Sequence, residues 1–267
     1  MIYVTGDTHQ NFTRFTKHHR ERLPFELTEE DYVIVCGDFG LLWSKDKTLD
    51  YNLDWLSRLP FTILFVTGNH ENYNMIAEYP LEGWNGGKVR HIIRDKVILL
   101  ERGQVFTIEG KTFFTFGGAS SHDIQGGILD MTSPTYEEDK IKAIKSGLPY
   151  RVLGKSWWKQ ELPTDEELQE GLRNLEKCDY KVDYVISHCA SNSLQEKLER
   201  YHLGINYSVG WYKQDVLTNY FEELESKLQY KHWFCGHYHE DLQIDDKHTI
   251  LYYSITPVEG VRLHGFI

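Results

Sequence analysis

Potential metal ligands stand near both ends of this chain, and any fold it adopts has to bring them to one place. In order, Gly6-Asp7-Thr8-His9, Gly37-Asp38, Gly68-Asn69-His70-Glu71, Ser187-His188 and Gly236-His237-Tyr238-His239 each set a carboxylate, an imidazole or an amide oxygen beside a small residue. Glycine precedes the ligands at 7, 38, 69 and 237, where a strand that turns sharply needs positive φ or a crowded backbone. Carboxylates, imidazoles and one amide with no thiolate suit Mn, Fe or Zn ions and argue against a cysteine-built structural zinc site. The pattern describes a two-metal hydrolytic site, and dividing the chain would split it.

The first hundred residues alternate strand and helix. Ile2 to Thr5, Tyr32 to Cys36 and Phe61 to Thr67 are short apolar runs rich in β-branched and aromatic residues, separated by helical stretches near 11–22 and 48–58. This βαβαβ rhythm sets Asp7, Asp38 and Asn69 just past strand carboxyl ends, where open α/β sheets bind ligands. From Val97 the rhythm changes: Val97 to Leu100, Val105 to Ile108 and Thr112 to Phe116 read as strands, with a tight turn at Glu109-Gly110. A second, antiparallel-leaning sheet is expected to begin there.

Residues 118–163 hold Gly126-Gly127, Pro134, Pro149, Trp157-Trp158 and Pro163, with a modest helical signal at 136–146, and read as an insertion over the site within one domain spanning 1–267. Thr164 with Glu167 is a capping-box signature, and Leu168, Leu172 and Leu175 share a face of the helix that follows. Val182 to Ser187 reads as the strand delivering His188, and a helix near 213–228, with Val216, Tyr220, Leu224 and Leu228 on one side, leads into His232 to Cys235. Asp241 to Ile244, Thr249 to Ser254 and Val261 to Ile267 are expected to complete the second sheet.

The order D-x-H, G-D, G-N-H-E, S-H, G-H-x-H resembles the calcineurin-like metallophosphoesterase superfamily over residues 7 to 239 of 267. The resemblance implies an α/β (α+β) fold, a four-layer αββα sandwich of two mixed sheets flanked by helices. It also implies two divalent metal ions, Mn first, with Fe or Zn as alternatives. Asp7, His9 and His239 match one ion's ligands, Asn69, His188 and His237 the other's, and Asp38 the bridge. A carboxylate can hold two cations about 3.5 to 4 Å apart. Period-two alternation would turn His237 and His239, and likewise Asp7 and His9, to one side of an extended segment. The implied reaction is hydrolysis of a phosphate ester by a hydroxide shared between the ions, with no covalent phosphoenzyme and with His70 as general acid or hydrogen-bond donor at the leaving oxygen.

Trp157-Trp158 with Lys155, Glu161 and Pro163 resembles a W-W-x-x-E-x-P signature of small bacterial and phage metallophosphoesterases. Trp157 is either a substrate-stacking platform or a packed corner. Arg151 and Lys155 are candidates for a phosphate clamp, with surface solvation as the competing reading, and His122, after the strand ending at Phe116, is a further candidate for the site. The chain departs from the Ser/Thr protein phosphatases, which follow Gly-Asp with Asp-Arg: Gly37-Asp38-Phe39-Gly40-Leu41-Leu42-Trp43 contains no arginine, which argues against a protein phosphatase. A cyclic-nucleotide or nucleic-acid phosphodiesterase, or a nuclease, stays open because one bimetal core cleaves monoesters and diesters. A non-catalytic metal-binding interaction module would usually lack His70 or several ligands, and here all are present.

A formal net charge of −11 and the absence of a basic stripe argue against long DNA or RNA as partner. Attraction for a phosphate ester would come from the metals, about +4 at one point if both are divalent. Cys36, Cys178, Cys189 and Cys235 form no C-x-x-C pair, no signal-like segment opens the chain and no apolar run nears membrane length, so a reducing cytoplasm is the expected place. The sequence leaves the oligomeric state open.

Overall fold

The computed structural model describes residues 1–203 and 212–261. The expected strand at Val261 to Ile267 lies almost wholly outside these residues.

Six strands in chain order build most of the first sheet: β1 (Ile2–Thr5), β2 (Tyr32–Val35), β3 (Thr62–Phe65), β4 (Glu82–Trp84), β5 (Gly87–Ile93) and β6 (Val97–Leu100). β7 (Gln104–Ile108) and β8 (Lys111–Phe116) start the second sheet, and β9 (Ile128–Leu129) pairs in parallel with β10 (Arg151–Val152) as a separate ribbon. β11 (Tyr184–Ser187), β12 (His232–Cys235), β13 (Leu242–Asp245) and β14 (His248–Ile250) complete the second sheet, and β15 (Thr256–Pro257) returns to the first. The helices are α1 (Lys17–Arg20), α2 (Lys47–Ser57), α3 (Tyr73–Ile76), α4 (Tyr136–Ser146), α5 (Asp165–Glu176), α6 (Asn192–Leu203) and α7 (Val216–Lys227).

The first sheet runs β15-β1-β2-β3-β6-β5-β4 and the second β13-β14-β12-β11-β8-β7. Alternation along each strand divides the apolar residues between the faces. Ile2, Val4, Ile34, Leu64, Ile98 and Leu100 meet Phe106, Phe113, Tyr184, Ile186 and Phe234 of the second sheet in the inner core. Their neighbours Tyr3, Val33, Val35, Ile63, Phe65, Val97 and Leu99 face outward against Leu49 and Leu56 of α2 and Phe12 and Phe15 of the first connection. On the far side Phe114, Phe116, Val185 and Trp233 pack against Leu168 and Leu175 of α5 and Leu217, Phe221 and Leu224 of α7. These layers are helix, sheet, sheet, helix, the αββα sandwich of two mixed sheets.

Several boundaries differ from the sequence reading. β6 lies in the first sheet, parallel to β3, because all four of its residues are buried, two on each face, as a central parallel strand requires. The second sheet begins at Gln104 and is not antiparallel-leaning: β8, β11, β12 and β14 run parallel, with antiparallel pairs only at its edges. β4 and β5, unread in the sequence, form an edge hairpin whose Asn85-Gly86 turn has φ of 47° and 97°, the geometry an Asn-Gly pair favours. The stretch at 11–22 is helical only as a 3₁₀ turn at Thr13–Phe15 and the single turn of α1. Val216 is exposed, and α7 buries Leu217, Tyr220, Phe221 and Leu224 instead. Among the described residues no helix is long and apolar enough to cross a membrane.

Candidate metal centre

Parallel strands that share a direction end at one edge, and the five blocks follow the carboxyl ends of β1, β2, β3, β11 and β12. The two sheets touch there: His188 Nδ1 lies 2.8 Å from the Cys36 carbonyl oxygen, and the His237 N–H donates to Asp7 Oδ1 at 2.9 Å. A Cβ on Gly37 would overlap the His188 ring, on Gly68 the Asp38 carboxylate, and on Gly236 both Asp7 Oδ1 and the Cys36 carbonyl. The glycines leave room for the ligands themselves to close in.

Three of the ligand positions depart from the extended backbone that alternation assumed. His9, His237 and His239 have φ of 45°, 71° and 55°, and Asp38 has φ of 47°. Left-handed backbone in non-glycine residues is uncommon and gathers at functional sites. Turns, not strand alternation, aim these side chains. Hydrogen bonds hold the turns: Asp7 accepts from the His237 N–H at 2.9 and 3.1 Å, and Asp38 Oδ1 accepts from the His70 N–H at 2.7 Å.

The candidate ligand atoms fall into two groups joined by the aspartates. In the first, His9 Nε2 lies 2.9 Å from His239 Nε2 and 3.7 Å from Asp7 Oδ2 and Asp38 Oδ2, while His239 Nε2 is 3.1 Å from Asp7 Oδ2. In the second, His188 Nε2 stands 3.2 Å from Asn69 Oδ1 and 3.4 Å from Asp38 Oδ1. Metal bonds of about 2.0–2.2 Å at tetrahedral or octahedral angles set neighbouring ligand atoms about 2.8 to 3.6 Å apart. Four of the six separations fall in that range, and the two from His9 to the aspartates lie just beyond it at 3.7 Å. His237 joins through its ring, 5.0 Å from that of His188, and His122 stands at the rim with its ring 5.6 Å from that of His237.

Proton accounting in the second group calls for a cation. The Cys36 carbonyl can only accept, so His188 carries its hydrogen on Nδ1 and a neutral ring presents a lone pair at Nε2. That lone pair, Asn69 Oδ1 and Asp38 Oδ1 then converge with no hydrogen among them. A divalent ion fits this donor set. Without one a proton takes its place: although burial pulls His188 down, Asp38 and Asp7 outweigh it and raise the imidazole to about 9. Burial would raise Asp38, yet His188, His70 and His9 hold it well below the usual carboxylate range. Burial keeps His9 and His237 low, whereas the bond to Asp7 raises His239.

The cluster is open on one side. Asp7, Asp38, Asn69 and His188 are buried, but the side chains of His9 and His239 are 30% and 50% exposed. On this open side stands His70, its ring 5.0 Å from that of His9 and stacked on Trp43, which in turn meets the buried Trp158 edge-on. Burial lowers the His70 imidazole, Asp38 opposes that, and Arg151 adds to it. Arg151 Nη2 lies 3.2 Å from His70 Nε2, and its guanidinium pairs through Nε with Asp123 Oδ1 at 2.9 Å. Lys155 is exposed in the turn after β10 and forms no ion pair among the described residues. Trp157 is fixed by donating from Nε1 to the buried Glu161 at 2.8 Å.

Sequence reasoning gave no role to several residues that shape the centre. Buried Arg14 donates to Thr5 Oγ1 and to the carbonyls of Gly6, Asp7 and Tyr252, pinning the β1 turn. Glu71 accepts from the Phe39 and Gly40 N–H groups at 2.8 and 3.4 Å and braces the turn after Asp38, with burial and then Asp38 raising its carboxyl to about 8. Asp123 orients Arg151. Only Glu71, inside the Gly-Asn-His-Glu block, carried a local signal.

Residues 1–241 match the family model described as calcineurin-like phosphoesterase. No curated protein matches the sequence. Among solved structures, the chain is similar to the crystal structure of phosphopantetheinyl hydrolase from Mycobacterium tuberculosis, at 15% identity over 94% of this chain and 89% of that one, with a TM-score of 0.45.

Proposed function

The chain belongs to the calcineurin-like phosphoesterase family, a family of metal-dependent phosphoric ester hydrolases, and from that premise we propose that its reaction runs on two divalent ions with His70 serving the leaving oxygen. The observation that carries the reading is the convergence of Asp38 Oδ1, Asn69 Oδ1 and the His188 Nε2 lone pair on one point, beside a second group of Asp7, His9 and His239. Asp7, His9 and His239 would hold one ion, Asn69, His188 and His237 the other, and Asp38 both; Mn suits this set, with Fe and Zn as alternatives. When bound, the ions supply Lewis acidity toward the phosphoryl oxygens and make water a better nucleophile at neutral pH.

The protein's own groups do the rest. Hydrolysis forms a P–O bond from water and breaks the ester P–O bond, and the departing oxygen takes a proton. His70, on the open side, would deliver it once a phosphate anion offsets the effect of burial and Arg151 on its charge. Arg151, held by Asp123, is the phosphate clamp that the Phe39-Gly40 turn lacks. His122 lies at the rim as a further substrate contact. Trp157 acts as a support, its indole N–H held by Glu161. Residues 118–163 serve as an insertion over the site within one domain, and the four free cysteines fit a reducing cytoplasm.

The test is to strip the protein of metal, restore Mn and compare an aryl phosphate monoester with the matching diester. Turnover that returns only with metal supports the reading, and the preferred ester separates phosphatase from phosphodiesterase. His70→Ala is expected to lower kcat about 10²- to 10⁴-fold at unchanged metal content. Loss of metal along with activity would make His70 a ligand or a structural residue instead. A fully loaded protein that turns over neither ester would contradict the general reading of the site.

A further inference from the structure

An asparagine ligand has a problem that a carboxylate does not: one end of its amide accepts and the other donates, so the group must be held the right way round. Here the Asn69 amide directs Oδ1 toward His188 Nε2 at 3.2 Å and Nδ2 toward Ser121 Oγ at 3.4 Å. The Ser121 hydroxyl is committed in turn, donating to Glu161 Oε2 at 2.6 Å. Glu161 is 3% exposed and accepts three times: from that hydroxyl, from the Ser121 N–H at 2.9 Å and from Trp157 Nε1 at 2.8 Å. A hydroxyl has one hydrogen. With that hydrogen drawn to Glu161, Ser121 offers Asn69 only lone pairs, and a lone pair can receive only the NH₂ end of the amide.

A second chain of bonds reaches the same residue through the backbone. Arg102 Nη2 donates to the carbonyls of Gln160 and Glu161 at 2.7 and 3.1 Å and to the Tyr73 hydroxyl at 2.9 Å. The Tyr73 hydroxyl donates to the Gly68 carbonyl at 2.7 Å, directly before Asn69. Residues 160–161 therefore govern Asn69 through its side chain and its main chain at once.

We propose that Glu161 is a positioning residue of the metal centre, which through Ser121 fixes the polarity of the Asn69 amide so that its oxygen faces the ion, with Trp157 holding Glu161 in register. This assigns a purpose to the tryptophan and glutamate of the 157–163 segment, and it rests on the two-ion reading above. Groups of this kind that orient metal ligands are typically worth 10- to 100-fold in metal affinity.

The experiment titrates metal-stripped protein with Mn by calorimetry, counting equivalents and affinities. Wild type is expected to take up two. Ser121→Ala, Glu161→Gln and Trp157→Phe are each expected to weaken one equivalent, by about 10- to 100-fold for the first two, and to leave the other in place. The decisive variant is Asn69→Asp, whose carboxylate presents an oxygen whichever way it turns. In that background Ser121→Ala is expected to leave Mn affinity unchanged. A loss as large as in the wild-type background, or equal weakening of both equivalents, would reduce Glu161 and Ser121 to general structural support and overturn the proposal. A wild type that binds fewer than two equivalents would overturn the two-ion reading itself, a result seen before any variant is made.

Discussion

Adding one Cβ at Gly236 would drive it into Asp7 Oδ1 and the Cys36 carbonyl, at the seam where the two sheets meet. Overpacking of this kind costs about 1–3 kcal/mol, so Gly236→Ala is expected to lower the melting temperature and Mn occupancy together. Gly83→Ala is its control: nothing lies within 4 Å of the added atom, and stability should change by no more than about 0.5 kcal/mol. Unchanged Mn occupancy in Gly236→Ala would contradict the packing argument. At this scale the sequence displayed the ligand types clearly, because chemistry confines them to few residues, and their order carried the family resemblance. It hid their support. Arg14, Ser121 and Asp123 act through contacts with partners 28 to 238 residues away, and no local pattern announces such pairings; Glu161 stood in the W-W-x-x-E-x-P signature, but its reach to Ser121, 40 residues away, did not show. The Gly-His-Tyr-His string reads as extended, whereas both of its histidines occupy left-handed turns.

Elements were legible where local rules determine them. The Thr164–Glu167 capping box is present in both directions, Thr164 Oγ1 accepting from the Glu167 N–H at 3.3 Å and Glu167 Oε2 from the Thr164 N–H at 2.7 Å. Thr164→Ala should cost about 0.5–2 kcal/mol, read as a lower denaturation midpoint, while kcat stays the same because α5 holds no ligand. A drop in kcat would show that α5 reaches the centre. The Glu109-Gly110 turn was legible for the same reason, with φ of 49° and 72°. What failed was membership: β6 stays in the first sheet although β7, which follows it, starts the second, and β15 returns to the first sheet from β14 of the second; burial on both faces decides the one and pairing with β1 the other. The β4–β5 hairpin could have been read from Asn85-Gly86, but glycines and charges around it mask the strand alternation.

The whole molecule carries a pH response separate from the metal centre. His232, 8% exposed at the start of β12 and bonded through Nε2 to Thr249 Oγ1 at 2.8 Å, is lowered to about 4 by burial and then by His248. Its unfolded value is near 6.5, so below that the unfolded chain binds a proton the folded one refuses. The neutral ring's contribution is complete above about pH 6.5 and shrinks as pH falls toward 4, by up to about 3 kcal/mol. Urea unfolding of wild type and His232→Asn at pH 7, 5.5 and 4.5 should show the two converging as the medium is acidified; parallel curves would exclude His232 as the source. The His237 N–H that holds Asp7 comes 230 residues later in the chain. At about 5–20 residues per second a ribosome takes about 10 to 50 s to make that stretch, and until then the growing polypeptide lacks one proposed ligand of each set, His239 of the first and His237 of the second. On the two-ion reading, both ions would be loaded only into chains that extend past His239, and a translation product that stops before residue 237 is expected to be inert however well its first sheet has formed.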